Sequence, residues 1–176
     1  MNKIYKVKKN AAGHSVACSE FAKGHVRQAV LGSLLIVGVL GISNTASADA
    51  GGKGNKTKGE DAVIGGGLNN RASGIQATVA GGAYNQATGE KSTVSGGIRS
   101  EARAYGATVS GGHENQATAH TATISGGSNN RATGDSSTVS GGAVNHATGD
   151  YSAINGGLLN QATGEKSTIS GGKLNH

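Results

Sequence analysis

Two sets of side chains in this sequence have the types that catalysis or metal binding requires. Carboxylates can act as an acid and base pair or hold Ca²⁺, and four of them are separated by multiples of fifteen residues: Glu90, Asp135, Asp150 and Glu165. Ring nitrogens can ligate zinc, and three histidines lie in the same part of the chain: His113, His120 and His146. Whether either set does chemistry depends on the elements that position it.

A strict fifteen-residue repeat positions all of these side chains. The stretch ATVSGG and its near-copies recur without insertion or deletion, and each copy places Val or Ile two residues before a Gly pair. An unbroken period of this kind indicates a solenoid. The Val/Ile column is its predicted structural core: Ile64, Val79, Val94, Val109, Ile124, Val139, Ile154 and Ile169.

Each copy contains two short strand patterns. Ala77 precedes Val79 by two residues and Ala87 precedes Gly89 by two, and residues so spaced share one face of a strand. The Gly pair permits a turn at positive φ, and we expect Asn85 and its equivalents to tolerate the left-handed region and to stack their amides. The sequence therefore predicts an all-β fold, a parallel β-roll or solenoid of 15-residue coils with two strands per coil, over residues 62–176.

This arrangement does not favour chemistry at the carboxylates or histidines. The carboxylates occupy exposed tips of Gly-x-x turns, the three histidines fall in different columns, and no Cys lies near them. The Gly pairs open no helix, so they do not resemble phosphate loops. We expect no catalytic site, no metal, no cofactor and no enzyme activity.

Composition excludes further classes. The chain has 32 Gly, no Pro, no Trp and one Phe, too few large side chains for an ordinary globular core. The formal charge of +6 belongs mostly to residues 1–48, because residues 49–176 hold ten Lys/Arg against nine Asp/Glu, a net of +1. We therefore expect no nucleic-acid partner.

The first 48 residues have the features of an export signal. An apolar run over residues 29–42, read as a signal helix, follows a basic stretch and is too short for a comfortable membrane span. Ala46 and Ala48 frame an A-x-A cleavage pattern, so we expect an extended signal peptide over 1–48 that is cut after Ala48. Residues 49–61, rich in Gly and Lys, are predicted to be a flexible lead-in.

The leader and the repeat both resemble one family. The MNKIYKV start and the VACSEFAKG segment resemble the extended signal peptides of type V secretion proteins, most of all those of the ubiquitous surface protein A adhesins. The V/I-x-GG and N-x-A-T/S-G turns resemble the YadA-like head of trimeric autotransporter adhesins. The resemblance implies a left-handed roll, a homotrimer, Sec-dependent export to the bacterial cell surface, and attachment to host extracellular-matrix glycoproteins or cell-surface receptors. The family's stalk and outer-membrane β-barrel anchor are not recognisable in residues 62–176, where the head repeats continue to the last residue.

Function is expected in the variable positions rather than in the constant ones. One Val or Ile per coil buries little apolar surface against the entropy cost of ordering fifteen residues. We therefore expect the chains to associate side by side, which would bury a second face. The candidate ligand contacts are the following variable residues: Tyr84, Arg99, Glu101, Arg103, Tyr105, His113 and Glu114. A passive spacer, with its ligand site in other segments, is the alternative. An ice-binding face is less favoured, because the Thr column that begins at Thr78 breaks at Ala153.

Overall fold

A computed structural model describes residues 6–9, 15–18 and 48–176, which fall into two compact units, Met1–Leu35 and Ile36–His176. In the first unit, strand Lys6–Lys9 pairs antiparallel with strand Ser15–Cys18. The apolar run predicted as a signal helix and Ala46 lie outside the described residues. Within the described ranges, no helix has the length and apolar character needed to cross a membrane.

The second unit is a parallel β-solenoid of fifteen-residue coils, as the period predicts. Its first sheet has nine two-residue strands in parallel order: Ala48–Asp49, Val63–Ile64, Thr78–Val79, Thr93–Val94, Thr108–Val109, Thr123–Ile124, Thr138–Val139, Ala153–Ile154 and Thr168–Ile169. Its second sheet has eight: Lys56–Thr57, Arg71–Ala72, Gln86–Ala87, Glu101–Ala102, Gln116–Ala117, Arg131–Ala132, His146–Ala147 and Gln161–Ala162. Each strand residue pairs with the residue fifteen positions away in the adjacent coil, so equivalent side chains form straight columns.

Strand alternation places the small and β-branched columns inside. From Ile64 to Ile154 the Val/Ile column is fully buried, and the Ala columns that include Ala77 and Ala87 are fully buried as well. Ile169, in the last coil, is half-buried against the same core. Side chains on either side of the buried ones, such as Thr78 and Gln86, face outward, which is the period-two alternation of a strand.

A third parallel ladder runs beside the two sheets. It consists of single bridges that join one residue per coil, and it was not predicted: Lys53, Leu68, Ala83, Ile98, His113, Ser128, Ala143, Leu158 and Lys173. Its members share neither size nor polarity, because the ladder is made by backbone groups alone. A backbone pairing of this kind leaves no side-chain pattern in the sequence.

The Gly pair makes the turn that leads into this ladder. Gly82 has φ +83°, and a Cβ there would lie 2.2 Å from the carbonyl oxygen of Gly97 in the next coil. Only glycine permits both the conformation and the close stacking. The strict recurrence of the second Gly of each pair follows from these two constraints.

Each coil has two positions of left-handed backbone, and one of them directly precedes the recurrent Asn column. Asn70 and its equivalents are not among them, so the expectation that Asn itself occupies this conformation is wrong. Tyr84 has φ 60° and Arg99 has φ 54°, and the equivalent residues agree. We call this set the left-handed column: Asn69, Tyr84, Arg99, Glu114, Asn129, Val144, Leu159 and Leu174. Its side chains therefore project outward from an unusual backbone conformation.

The Asn column is buried and forms a hydrogen-bonded ladder. Asn85 donates from Nδ2 to the carbonyls of Gly81 and Gly97, at 2.9 Å each, and its Oδ1 accepts the N–H of Ser100 at 2.9 Å. All three polar positions of the amide are satisfied, which a buried Asn requires. The predicted stacking of amides thus takes place through the backbone of adjacent coils.

Residues 49–61 form one more coil of the solenoid rather than the expected flexible lead-in. Asp49 pairs with Ile64, Lys56 pairs with Arg71, and Asn55 Oδ1 accepts the N–H of Asn70 at 3.0 Å. The signal was present in the sequence, because Gly51-Gly52, Asn55 and Gly59 lie fifteen residues before their counterparts. The repeat pattern is hard to recognise in this segment because polar Asp49 occupies the position of Ile in the core column, as in a capping repeat.

Candidate functional site

The predicted contact residues lie on three surfaces of the coil. Tyr84, Arg99 and Glu114 belong to the left-handed column, and His113 lies beside them on the third ladder. Arg99 Nη1 lies 3.4 Å from Glu114 Oε1, and His113 Nε2 lies 3.7 Å from the same oxygen. The Arg99 guanidinium also stands 6.0 Å from the centre of the Tyr84 ring. The structure therefore brings these four residues together on one exposed edge.

Glu101 and Arg103 lie on the outer face of the second sheet. They flank buried Ala102, so strand alternation places both side chains outward. Arg103 Nη2 and Glu101 Oε2 form an ion pair at 2.6 Å, and the Glu101 side chain is only 14% exposed. The charge of the Glu101 carboxylate is thus largely neutralised by Arg103, two residues along the chain.

Tyr105 lies apart from the other predicted contacts, in the turn that follows the second sheet. Its ring stacks on His120 of the next coil at 5.1 Å and 8°, and its hydroxyl lies 3.1 Å from Lys91 Nζ. That hydrogen bond is the main cause that raises the pKa of Lys91 above its ordinary value. These residues form a separate patch that does not adjoin the Arg99 cluster in the part of the chain described.

A groove runs along the solenoid between the left-handed column and the outer row of the second sheet. One concavity of about 490 Å³ is lined by Arg99, Glu101, Glu114, Gln116, Asn129, Arg131, Val144 and His146. A second, of about 280 Å³, lies between the same two columns nearer the first coils, lined by Gly54, Lys56, Asn69, Asn70, Arg71, Tyr84 and Gln86. Three predicted contacts, Arg99, Glu101 and Glu114, share the larger concavity.

No family model matches this chain, and no curated protein matches it significantly.

Sequence reasoning missed the other residues of the larger concavity, above all Gln116, Arg131 and His146. Arg131 and His146 are adjacent in the ladder. Burial lowers the pKa of His146, and the charge of Arg131 lowers it further. The fifteen-residue alignment contained the signal, because these residues share one column with Glu101, but the side chains of that column share no single residue type that would mark them as a set.

The carboxylates of Glu90, Asp150 and Glu165 have partners within the chain. Asp150 Oδ1 accepts the backbone N–H of Asp135 at 2.9 Å, and Glu165 pairs with neighbouring Lys166 at 2.7 Å. Glu90 lies 3.6 Å from Lys91. Among the described residues, no group of three or more His, Cys, Asp and Glu side chains is arranged to hold a metal ion.

Proposed function

We propose that this chain is the leader and head of a trimeric adhesin of the YadA-like type, exported by Sec and displayed on the surface of a Gram-negative bacterium. It attaches to host cells or extracellular-matrix glycoproteins by multivalent contact, without catalysis. The observation that carries the proposal is the confinement of sequence variation to outward columns of a solenoid whose inward columns are nearly constant. The leader's resemblance to type V secretion signals supports the same conclusion.

Exposed apolar side chains support the homotrimer. Ile98 and Leu158 on the third ladder are 46% and 38% exposed. Covering such side chains with a neighbouring chain stabilises both copies, by about 25 cal/mol per Å² of apolar surface removed from water. Left-handedness of the roll belongs to the same proposal and rests on the family resemblance.

The oligomeric state and the binding can be measured independently. Sedimentation of the purified full chain is expected to give three times the mass of one chain. The same material is expected to bind epithelial cells, fibronectin or laminin, with apparent affinity that falls when the chain is made monomeric, because three linked copies bind with avidity. A monomer that binds none of these targets contradicts the proposal.

A passive spacer remains the second candidate, and the uniform register of the coils is what favours it. Removing residues 92–121 takes out two coils in register, including the Arg99 and Tyr105 patches. Removing residues 137–166 takes out two coils without them. A spacer tolerates both deletions equally, whereas an adhesive surface loses cell binding with the first deletion and keeps more of it with the second.

A further inference from the structure

Charge is segregated on the solenoid in a way that the total conceals. The outer face of the second sheet carries five of the ten Lys/Arg found after residue 48 but only one of the nine Asp/Glu, which is Glu101. Its cations are the following: Lys56, Lys58, Arg71, Arg103 and Arg131. That face therefore has a formal charge of +4, while the five cations and eight acids elsewhere after residue 48 give −3. We call it the basic face.

One column of the basic face consists entirely of long polar side chains. We call it the donor row, since every member except Glu101 can carry an N–H donor: Lys56, Arg71, Gln86, Glu101, Gln116, Arg131, His146 and Gln161. The row lies in parallel register, so its members repeat once per coil at about 4.8 Å. Its eight members extend roughly 34 Å along the solenoid axis.

The groove follows the donor row and gives it a second wall. Both concavities lie between this row and the left-handed column, and each contains an arginine of the row, Arg71 or Arg131. Within residues 48–176, neither arginine is paired with a carboxylate, whereas Glu101 is neutralised by Arg103. The groove therefore presents Arg71 and Arg131 beside neutral amide donors. Its two carboxylates, Glu101 and Glu114, each lie against another arginine.

We propose that this groove binds a linear acidic polysaccharide lying parallel to the solenoid axis. Arg71 and Arg131 hold its carboxylate or sulfate groups, because a guanidinium fork matches both anions. Gln86 and Gln116 bond the hydroxyl groups between them, and the apolar side chains of Tyr84 and Val144 flank the sugar rings. The inference rests on the proposed function, and it names the class of host-surface ligand.

The shape of the site favours a polysaccharide over other polyanions. A membrane surface meets a flat or convex face, whereas here the donors line two concavities of about 490 and 280 Å³. Single-stranded nucleic acid is held by aromatic stacking along its bases, and each concavity has only one aromatic ring, that of Tyr84 or of His146. A chain of sugars needs neither feature, because its hydroxyls and acid groups point to both walls.

The test is titration of the full chain with size-defined heparin oligosaccharides, with hyaluronan oligosaccharides and neutral dextran alongside. Heparin carries sulfates and carboxylates and hyaluronan carboxylates alone, so the two arms identify the anion. We expect binding that weakens with salt for at least one acidic glycan and none for dextran. The double variant Arg71→Gln with Arg131→Gln should bind about tenfold more weakly or worse, since each charge-assisted hydrogen bond contributes strongly.

A matched control separates the groove from bulk charge. Lys91→Gln with Lys166→Gln removes the same charge from the opposite turn, and we expect binding within twofold of the unaltered chain. Unfolding midpoints of both variants show whether the fold is intact, and glutamine is already native to the donor row. The inference is overturned if both variants weaken the binding of acidic oligosaccharides equally. It is also overturned if the chain binds single-stranded DNA or anionic lipid vesicles as tightly as it binds the oligosaccharides.

Cell binding distinguishes this inference from the proposed function. If the full chain adheres to epithelial cells equally well after glycosaminoglycan lyases and in the arginine double variant, the groove inference fails and the adhesin proposal stands. If the chain binds acidic oligosaccharides through Arg71 and Arg131 but adheres to no cell or matrix protein, the adhesin proposal fails and the groove inference stands.

Discussion

The Asn ladder is interrupted at one coil, and repairing it is the most direct test of its energetic role. Ser100 occupies the Asn position, and its buried Oγ has no hydrogen-bond partner in the described part of the chain. In the regular coils an Asn at this position makes two bonds from Nδ2 and accepts one at Oδ1. Ser100→Asn would direct these bonds to Gly96, Gly112 and the N–H of Asn115.

The expected gain is about 2 kcal/mol. Three hydrogen bonds contribute about 1 kcal/mol each, and ordering the longer side chain costs about 1 kcal/mol. The backbone is already suitable, because Gly97 in the irregular coil has φ +86° and Gly82 in a regular coil has φ +83°. The substitution therefore requires no change of turn.

Urea unfolding followed by circular dichroism measures the global effect, and amide hydrogen exchange measures the local one. A gain of about 2 kcal/mol corresponds to roughly thirtyfold slower exchange at the Asn115 N–H, if that amide exchanges through local opening. Ser100→Ala is the matched control, since it removes the unsatisfied hydroxyl without adding a bond. If Ser100→Ala stabilises the chain as much as Ser100→Asn, or if Asn115 exchange does not slow, the ladder argument is refuted.

Four further substitutions test the turns and the groove. Gly82→Ala should destabilise by about 3 kcal/mol or more through positive φ and a backbone clash, while Gly81→Ala, which meets nothing within 4 Å, should stay within about 1 kcal/mol in urea unfolding. Val144→Asn should raise the free energy of unfolding by about 1 kcal/mol, and the melting temperature with it, because a β-branched residue at φ 55° is strained. The pKa of His146 is lowered in the folded chain, so the unfolded chain takes up a proton at this side chain first as the pH falls. Stability therefore falls below about pH 6.5, and His146→Gln should reduce that fall when the melting temperature is measured against pH.

The period predicted the coil, its register and its core, because burial acts on side chains and leaves a pattern in them. Val79 and Ala87 could be assigned inward from spacing alone, and the structure places both inside. The third ladder through Ala83 and His113 could not be predicted in this way. Backbone hydrogen bonds form this ladder, and any side chain that can project into solvent is compatible with them.

The candidate site was predictable only in part, for a related reason. Variability identified Arg99, Glu101 and Glu114, which the groove contains. It also selected Tyr105, which lies on another surface, because variability marks exposure without saying which exposed columns adjoin. The charge of Arg131 indicates a binding surface only when it is added to the charges of the other residues in its column. That this column lies beside the left-handed column depends on the geometry of the turn, which the sequence pattern does not show.

The ladders also determine how the solenoid carries a mechanical load. Their hydrogen bonds run from coil to coil, so a pull along the axis acts directly on them and opens coils in succession. Each coil that opens releases fifteen residues, which extend to about 50 Å, in place of a rise of about 4.8 Å. The roll therefore lengthens about tenfold before the covalent chain is taut, and it absorbs work one coil at a time.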